Sequence, residues 1–384
     1  MHPLTWLEIS RPRLLNNYEL FRAQIGAGRE LMPVLKANAY GHGLEEVGAV
    51  LAAAGCRWYG LHSAEEALRL AAVPELRRVA DPRLLLLSAV PGERAEAVLA
   101  AGGRFTVFEP EALDELEAAG ERAGRSVPIH LKIETGVQRQ GFPDDALPDL
   151  AAALASRPHL RVEGVHTHFA NIEDTTRHDY AREQMRRFAA ARERLAALGV
   201  EPELAHASCS AAAILFPETH HDLVRVGISL YGHWPSQETR VSAQAAARNR
   251  LDLRPVLTWK ARLIQVKRVP AGSLVGYGCT WKAETDTRLG VLPVGYYDGY
   301  DRGLGGAHAL VRGRRAPVRG RVMMNLTLVD LGHLPEAARG DEAVLLGSQG
   351  EEEVSAELLA GLAGTINYEI LSRLGAHLPR RIVD

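Results

Sequence analysis

Cysteine is scarce: Cys56, Cys209 and Cys279 are the only three in 384 residues. An odd, widely spaced set offers neither a disulfide framework nor a zinc-ligand cluster, so no metal site is expected. Long apolar runs are missing as well, and none reaches the roughly 18 residues of a membrane span. The opening stretch MHPLTWLEISRPRLLNN has no basic segment followed by an apolar one, so it does not read as a signal peptide. Nor is there a long block of one charge sign: 45 Lys and Arg against 47 Asp and Glu leave a formal net charge of −2. Nucleic acid is therefore not an expected partner, since proteins that bind it usually carry a basic face. A membrane is not expected either, and a reducing cytoplasm is the simplest location. What remains is the composition of a globular protein, 46% hydrophobic and 24% charged, with length enough for two domains.

From residue 31 to about 230, short apolar runs alternate with amphipathic, alanine-rich stretches. The expected strands are LMPVLK, RWYGLH, RLLLLS, RFTV, PIHLKIE, RVEGVHTHF, ELAHAS and DLVRVG. Eight strands with helices between them predict an α/β fold, a parallel (β/α)8 barrel; a doubly wound open sheet is the alternative. One helix, SAEEALRLAA, opens with a capping box from Ser63 to Glu66. After residue 235 the texture changes. SQETRVSAQAAARNRLDLRP looks like a connection. Beyond it, β-branched runs such as VLTWKARLIQVKRV, TRLGVLPVG, HALVRG, LTLVDL and EAVLLGS predict a smaller, mostly antiparallel β domain with one helix, SAELLAGLAG. The expected division is residues 1–240 and 241–384, with the opening residues as candidates to pair with the β domain.

In such a barrel the chemistry gathers at the C-terminal ends of the strands. Those ends carry Lys36, His62, Glu134 with Arg139 beyond it, His168, Ser208 to Ser210, and Arg225 to Gly227. A lone lysine at a strand end is more often snorkelling to solvent. In a partly dry pocket, however, its amine has a lowered pKa and can form a Schiff base, the attachment that pyridoxal phosphate uses. A phosphate site should then accompany it. Ser210 sits at an expected helix N-terminus, where hydroxyl and N–H groups favour an anion, and Gly227 permits close backbone approach.

These residues stand in longer motifs. VLKANAYGHG resembles the pyridoxal phosphate signature of alanine racemases. LKIETGVQRQGF, GVHTHFA, CSAAAILFPETHHDLVRVGISLYG, VGYGCTW, LPVGYYDGY, GRVMMN and TINYEI resemble further blocks of that family in the same order, across essentially the whole chain. The resemblance implies an isomerase that interconverts L-alanine and D-alanine on pyridoxal 5'-phosphate by two bases and supplies D-alanine for peptidoglycan. It implies a homodimer with composite active sites. Lys36 would hold the cofactor and act as one base. Tyr277 would be the other, reaching in from the partner subunit. Tyr40, Ser210, Gly227, Ile228 and Tyr368 would cradle the phosphate. His168 would lie beside the ring and contact Tyr277 and Arg225, and Arg225 would face the pyridine nitrogen. Arg139 and Met324 would hold the substrate carboxylate, and Tyr296 would shape access. Lys132 matches a family lysine that can be carbamylated and can orient Arg139.

The chain departs from the family pattern in two places. Many members carry Met-Asp where this chain has Met324-Asn325, and Gly-Arg-Leu is frequent where it reads TGVQRQG. Asn325 replaces an acceptor-only carboxylate with a group that also donates, which bears on substrate range. Rival readings are a broader-specificity or serine racemase, a non-catalytic pyridoxal phosphate carrier, and a basic amino acid decarboxylase of the same two-domain plan. Cys209 and Cys279 read as small packing residues.

Overall fold

A computed structural model describes residues 3–175, 177–245 and 251–384. Its first strand, β1 (Thr5–Ser10), precedes eight short ones: β2 (Glu30–Pro33), β3 (Trp58–Leu61), β4 (Arg83–Leu86), β5 (Gly103–Val107), β6 (Val127–Lys132), β7 (Leu160–His166), β8 (Leu204–His206) and β9 (Leu223–Val226). Strands β3 to β8 form one parallel sheet in chain order, and β2 pairs in parallel with β9. Two contacts complete the ring. A parallel bridge joins Val34 to Gly60. Between β8 and β9, the Asp222 N–H donates to the Ala205 carbonyl at 3.1 Å, while Asp222 Oδ2 accepts from the Ala205 N–H at 2.8 Å. The barrel expected from the eight apolar runs is therefore the observed fold.

Parallel strands covered on both faces need apolar side chains on both. Strands β5 and β6 are buried at every position, with Phe105, Val107, Ile129 and Leu131 as their apolar share and Arg104, Thr106, His130 and Lys132 as buried polar exceptions. Met32, Trp58, Leu85 and Leu223, from four strands, pack together as one apolar cluster. The helix Ala64–Ala71 starts as expected at Ser63, whose hydroxyl accepts from the Glu66 N–H. The Glu66 carboxylate, however, reaches the His62 N–H at 2.8 Å rather than Ser63.

The later strands are β10 (Leu257–Arg262), β11 (Gln265–Val269), β12 (Leu274–Val275), β13 (Trp281–Lys282), β14 (Thr287–Leu292), β15 (His308–Val311), β16 (Arg314–Pro317), β17 (Thr327–Asp330), β18 (Glu342–Gln349), β19 (Glu352–Val354) and β20 (Arg380–Val383). The largest sheet runs β16-β15-β18-β10-β1-β20, with β19 on β18. All its pairings are antiparallel except β1 with β20. A three-stranded antiparallel sheet, β11-β14-β17, packs Val269, Leu289, Val291 and Leu328 into a second core with Val275 and Ala283. The single run VLTWKARLIQVKRV is thus two strands of two different sheets.

The chain forms two compact units: Met1–Pro12, Ala37–Glu46 and Pro255–Asp384 in one, Arg13–Lys36 and Val47–Arg254 in the other. The barrel strands belong to the second, β1 and the antiparallel sheets to the first. The stretch expected as a plain connection contains a helix, Gln237–Ala245, whose start Ser236 caps by accepting from the Thr239 N–H at 3.0 Å. Residues 246–250 of that stretch lie outside the described residues.

Candidate active site

Lys36 stands just beyond β2, not within it. The Leu35 N–H still bonds the Gly60 carbonyl, and then the backbone reverses its hand. Ala37, Asn38, Ala39 and Tyr40 have φ between +53° and +56°. Four successive non-glycine residues in the left-handed region are costly, at about 1–2 kcal/mol each. The turn is held by bonds from the Gly41 N–H to the Ala37 carbonyl and from the Gly43 N–H to the Asn38 carbonyl. Asn38 Oδ1 also accepts from the Leu44 N–H at 3.0 Å. The GHG that follows is required by space: a Cβ on Gly41 would lie 1.9 Å from the Leu371 carbonyl oxygen. Tyr40 and Tyr368 meet here, with ring centroids 6.2 Å apart.

In the barrel unit, Lys36, Lys132, Arg139 and Arg225 converge. Burial, reinforced by Arg139 and Arg225, lowers the Lys36 pKa, against a smaller opposing pull from Glu66. Burial and the same two guanidiniums push Lys132 down to about 8. Burial also lowers Arg225 to about 10. His168 lies 3.5 Å from Arg225 through Nδ1. Burial first, then the surrounding cations, keep its imidazole well below the ordinary value. A small cleft lined by Lys132, Glu134, Arg139, Gln140, Thr167 and His168 opens beside this group. The Lys132 ammonium does not reach Arg139: it donates to Gln140 Oε1 at 3.1 Å. Glu134 shapes the loop, its carboxylate accepting from the N–H groups of Gly136 and Arg139.

Ser210, Gly227 and Ile228 are also brought together. The Ser210 hydroxyl accepts from the Gly227 N–H at 3.1 Å and the Ser229 N–H at 3.4 Å. These bonds fix the Ser210 hydroxyl at a buried position beside Gly227 and Ser229 and leave its own proton to donate. Ser208 has no share in them, because its hydroxyl bonds Thr219. His62 is exposed. Cys209 is pushed up to about 11 by burial and stays a thiol at neutral pH, whereas Cys279 is exposed rather than packed.

The remaining candidates lie in the other unit. Tyr277 is 71% exposed on a tight turn after Gly276, whose φ of +75° needs no Cβ. Met324 and Asn325 are exposed, as is Tyr296. The loops carrying them are stitched together: the Tyr296 and Tyr297 N–H groups donate to the Met323 and Met324 carbonyls, both at 3.0 Å. Gly295 permits this, since a Cβ there would fall 2.1 Å from the Met323 oxygen.

Sequence reasoning missed a set of buried polar side chains on the barrel strands. Arg104, His130, Glu163 and His206 come from β5, β6, β7 and β8 and are linked by hydrogen bonds. The available signal was spacing. His130 precedes Lys132 by two residues, so the two share a face of β6.

Comparison with known proteins agrees over the full length. The family profile described as alanine racemase, N-terminal domain, matches residues 9–235, and that described as alanine racemase, C-terminal domain, matches residues 256–382. An alanine racemase of Symbiobacterium thermophilum is 40% identical over 377 residues, covering 98% of this chain and 96% of that protein. One of Leptospira interrogans is 35% identical over 381 residues, covering 99% and 96%. The crystal structure of alanine racemase from D-cycloserine producing Streptomyces lavendulae matches with a TM-score of 0.90 at 35% identity, covering 100% of this chain and 98% of that one.

Proposed function

This chain belongs to the alanine racemase family, and on that premise we propose that it interconverts L-alanine and D-alanine, with pyridoxal 5'-phosphate held on Lys36, as a cytoplasmic homodimer that supplies D-alanine for cell-wall synthesis. The observation that carries the reading is Lys36, an amine of lowered pKa set among Arg139, Arg225 and Lys132. A neutral amine is what attack on an aldehyde requires. Arg139, Arg225 and Lys132 around it also call for anions, and a cofactor phosphate and a substrate carboxylate are two. The hydroxyl of Ser210, fixed beside Gly227 and Ser229 with its proton left to donate, suits the phosphate. Ile228, Tyr40 and Tyr368 would complete its surroundings.

When bound, pyridoxal phosphate supplies a conjugated sink for the electron pair left when the α-proton departs. The chain's own groups do the rest. Arg139 would hold the carboxylate, with Met324 and Asn325 beside it. Lys36 Nζ would take or give the α-proton on one face, and Tyr277 Oη on the other. Two groups on opposite faces serve racemisation best, because each direction removes a proton from one side and returns one to the other. His168 and Arg225 would set the electrostatics between them, and Tyr296 would narrow access. Lys132, with a pKa near 8, has the neutral fraction that carbamylation needs.

Support for a homodimer comes from surface character. Leu274 (60% exposed), Tyr277, Met324 (55%) and Ile366 (61%) are large apolar side chains left open on one unit, available for a partner to cover. In a head-to-tail pair, the partner subunit's Tyr277 would complete each site.

The test is direct. Purified protein with pyridoxal phosphate should form D-alanine from L-alanine, and borohydride reduction followed by peptide mapping should place the adduct on Lys36. An adduct on another lysine, or no D-alanine, would overturn the reading. Serine turned over as efficiently as alanine would favour the broader racemase that Asn325 allows.

A further inference from the structure

Arg225 carries its charge into the barrel with no carboxylate among the described residues in an ion pair with it. Nη1 donates to His206 Nδ1 at 2.6 Å and to the His206 carbonyl at 3.1 Å. Nη2 donates to the carbonyls of Thr167 and Ala207 at 2.8 and 2.9 Å. A guanidinium only donates, so His206 Nδ1 is the bare, accepting nitrogen and the His206 proton is on Nε2. That nitrogen lies 2.8 Å from His130 Nδ1, which therefore accepts in turn. The His130 proton is then on Nε2, 3.1 Å from Glu163 Oε2. The line runs in one direction, Arg225 to His206 to His130 to Glu163, through side chains of β9, β8, β6 and β7. It ends on a carboxylate that Arg104 and Arg161 neutralise at 3.3 and 2.9 Å. Among the described residues, Glu163 is the carboxylate that these bonds connect to Arg225.

We propose that Glu163 is a positioning residue for the reaction: through His130 and His206 it sets the tautomers that hold Arg225 in place beside Lys36. The proposal rests on reading the site as that of a racemase.

Several features keep the line intact. Burial holds both imidazoles below their ordinary pKa, so each ring carries one proton and has one nitrogen free to accept. Burial pushes the Glu163 carboxyl up, but the His130 bond and the Arg104 guanidinium outweigh it and hold it at about 2. It therefore remains an acceptor-only anion at neutral pH. Reversing the His206 tautomer would aim an N–H at a guanidinium N–H across 2.6 Å, and reversing that of His130 would aim one at the His206 Nε2–H across 2.8 Å. His166 packs flat on His206, ring centroids 4.6 Å apart and 3° from parallel, which restrains the ring from turning. Buried polar groups cost desolvation. The same barrel fills other inward positions with Met32, Trp58 and Leu85. A polar line from Glu163 to Arg225 thus does more than occupy space. Hydrogen bonds in series also polarise one another, so the carboxylate's charge is felt at Arg225 through the two rings.

Long-range proton–nitrogen NMR spectra of the full chain carrying nitrogen-15 histidine read the tautomers without any cofactor. The signals are assigned by their loss in His130→Asn and His206→Asn. Both rings should be protonated on Nε2 and bare on Nδ1; a proton on Nδ1 of either ring overturns the proposal. Glu163→Gln keeps an acceptor oxygen and drops the charge. In the cofactor-loaded enzyme its kcat for alanine should fall about tenfold with KM nearly unchanged, and its His206 Nδ1 signal should move. An unchanged kcat overturns the proposal. A wild-type protein that shows the expected tautomers but makes no D-alanine would instead defeat the racemase reading, so the two failures are distinguishable.

Discussion

Lys132 shows at the scale of one residue how burial and charge combine. It is 5% exposed, and its pKa of about 8 lies well below that of a free lysine. Its folded pKa is lowered, so between about pH 8 and 10.5 the unfolded chain binds the proton more tightly than the folded one. Stability contributed by this residue therefore rises with pH through that window, and below it the buried ammonium is a cost. In carbonate-free buffer, Lys132→Met should unfold at higher denaturant than wild type at pH 7. The difference, about 3 kcal/mol at most, should shrink towards pH 10. Chemical denaturation at the two pH values checks this; a difference that grows with pH would contradict it. Bicarbonate should stabilise wild type more than the variant, because the variant lacks the Lys132 amine that can take up carbon dioxide.

At the scale of elements, the barrel strands were legible because parallel strands buried on both faces are short, mainly apolar runs, as the leucines of RLLLLS show. The helix Ala356–Ala363 was legible from SAELLAGLAG, and Ser355 caps it as its sequence suggests. The turn after Lys36 was not. LMPVLK reads as strand to its last residue, yet β2 ends at Pro33 and the chain coils left-handed from Ala37 to Tyr40. Ala and Tyr have no local preference for that conformation; bonds around Asn38 and the close approach of Gly41 to Leu371 impose it. The line from Glu163 to Arg225 was legible only in part: spacing puts His130 on the face of Lys132, but nothing local tells which of the other histidines and carboxylates meets it. The turn makes its own prediction. Ala37 is exposed, so Ala37→Gly loses little packing and relieves a positive φ. It should raise stability by about 0.5–1 kcal/mol, while Ala37→Val should lower it. Thermal melts of the two variants decide, and equal effects of both would mean that the turn is not strained.

At the scale of the whole molecule, the candidate residues fall into two sets on two units: Lys36, Arg139, His168 and Arg225 on the barrel, Tyr277, Tyr296 and Met324 on the β unit. The motifs that carry the two sets were legible because they are ordered along the chain. A sequence does not say whether two distant motifs meet within a chain or between chains. The central claim is that one reaction needs both sets and that two subunits supply them. Lys36→Ala and Tyr277→Phe should each abolish conversion of L-alanine to D-alanine. Mixed and allowed to exchange subunits, the two inactive proteins should regain about a quarter of wild-type activity, since half the dimers are hybrids with one intact site of two. No recovery, with exchange demonstrated by mass spectrometry of the hybrid dimer, would contradict the account.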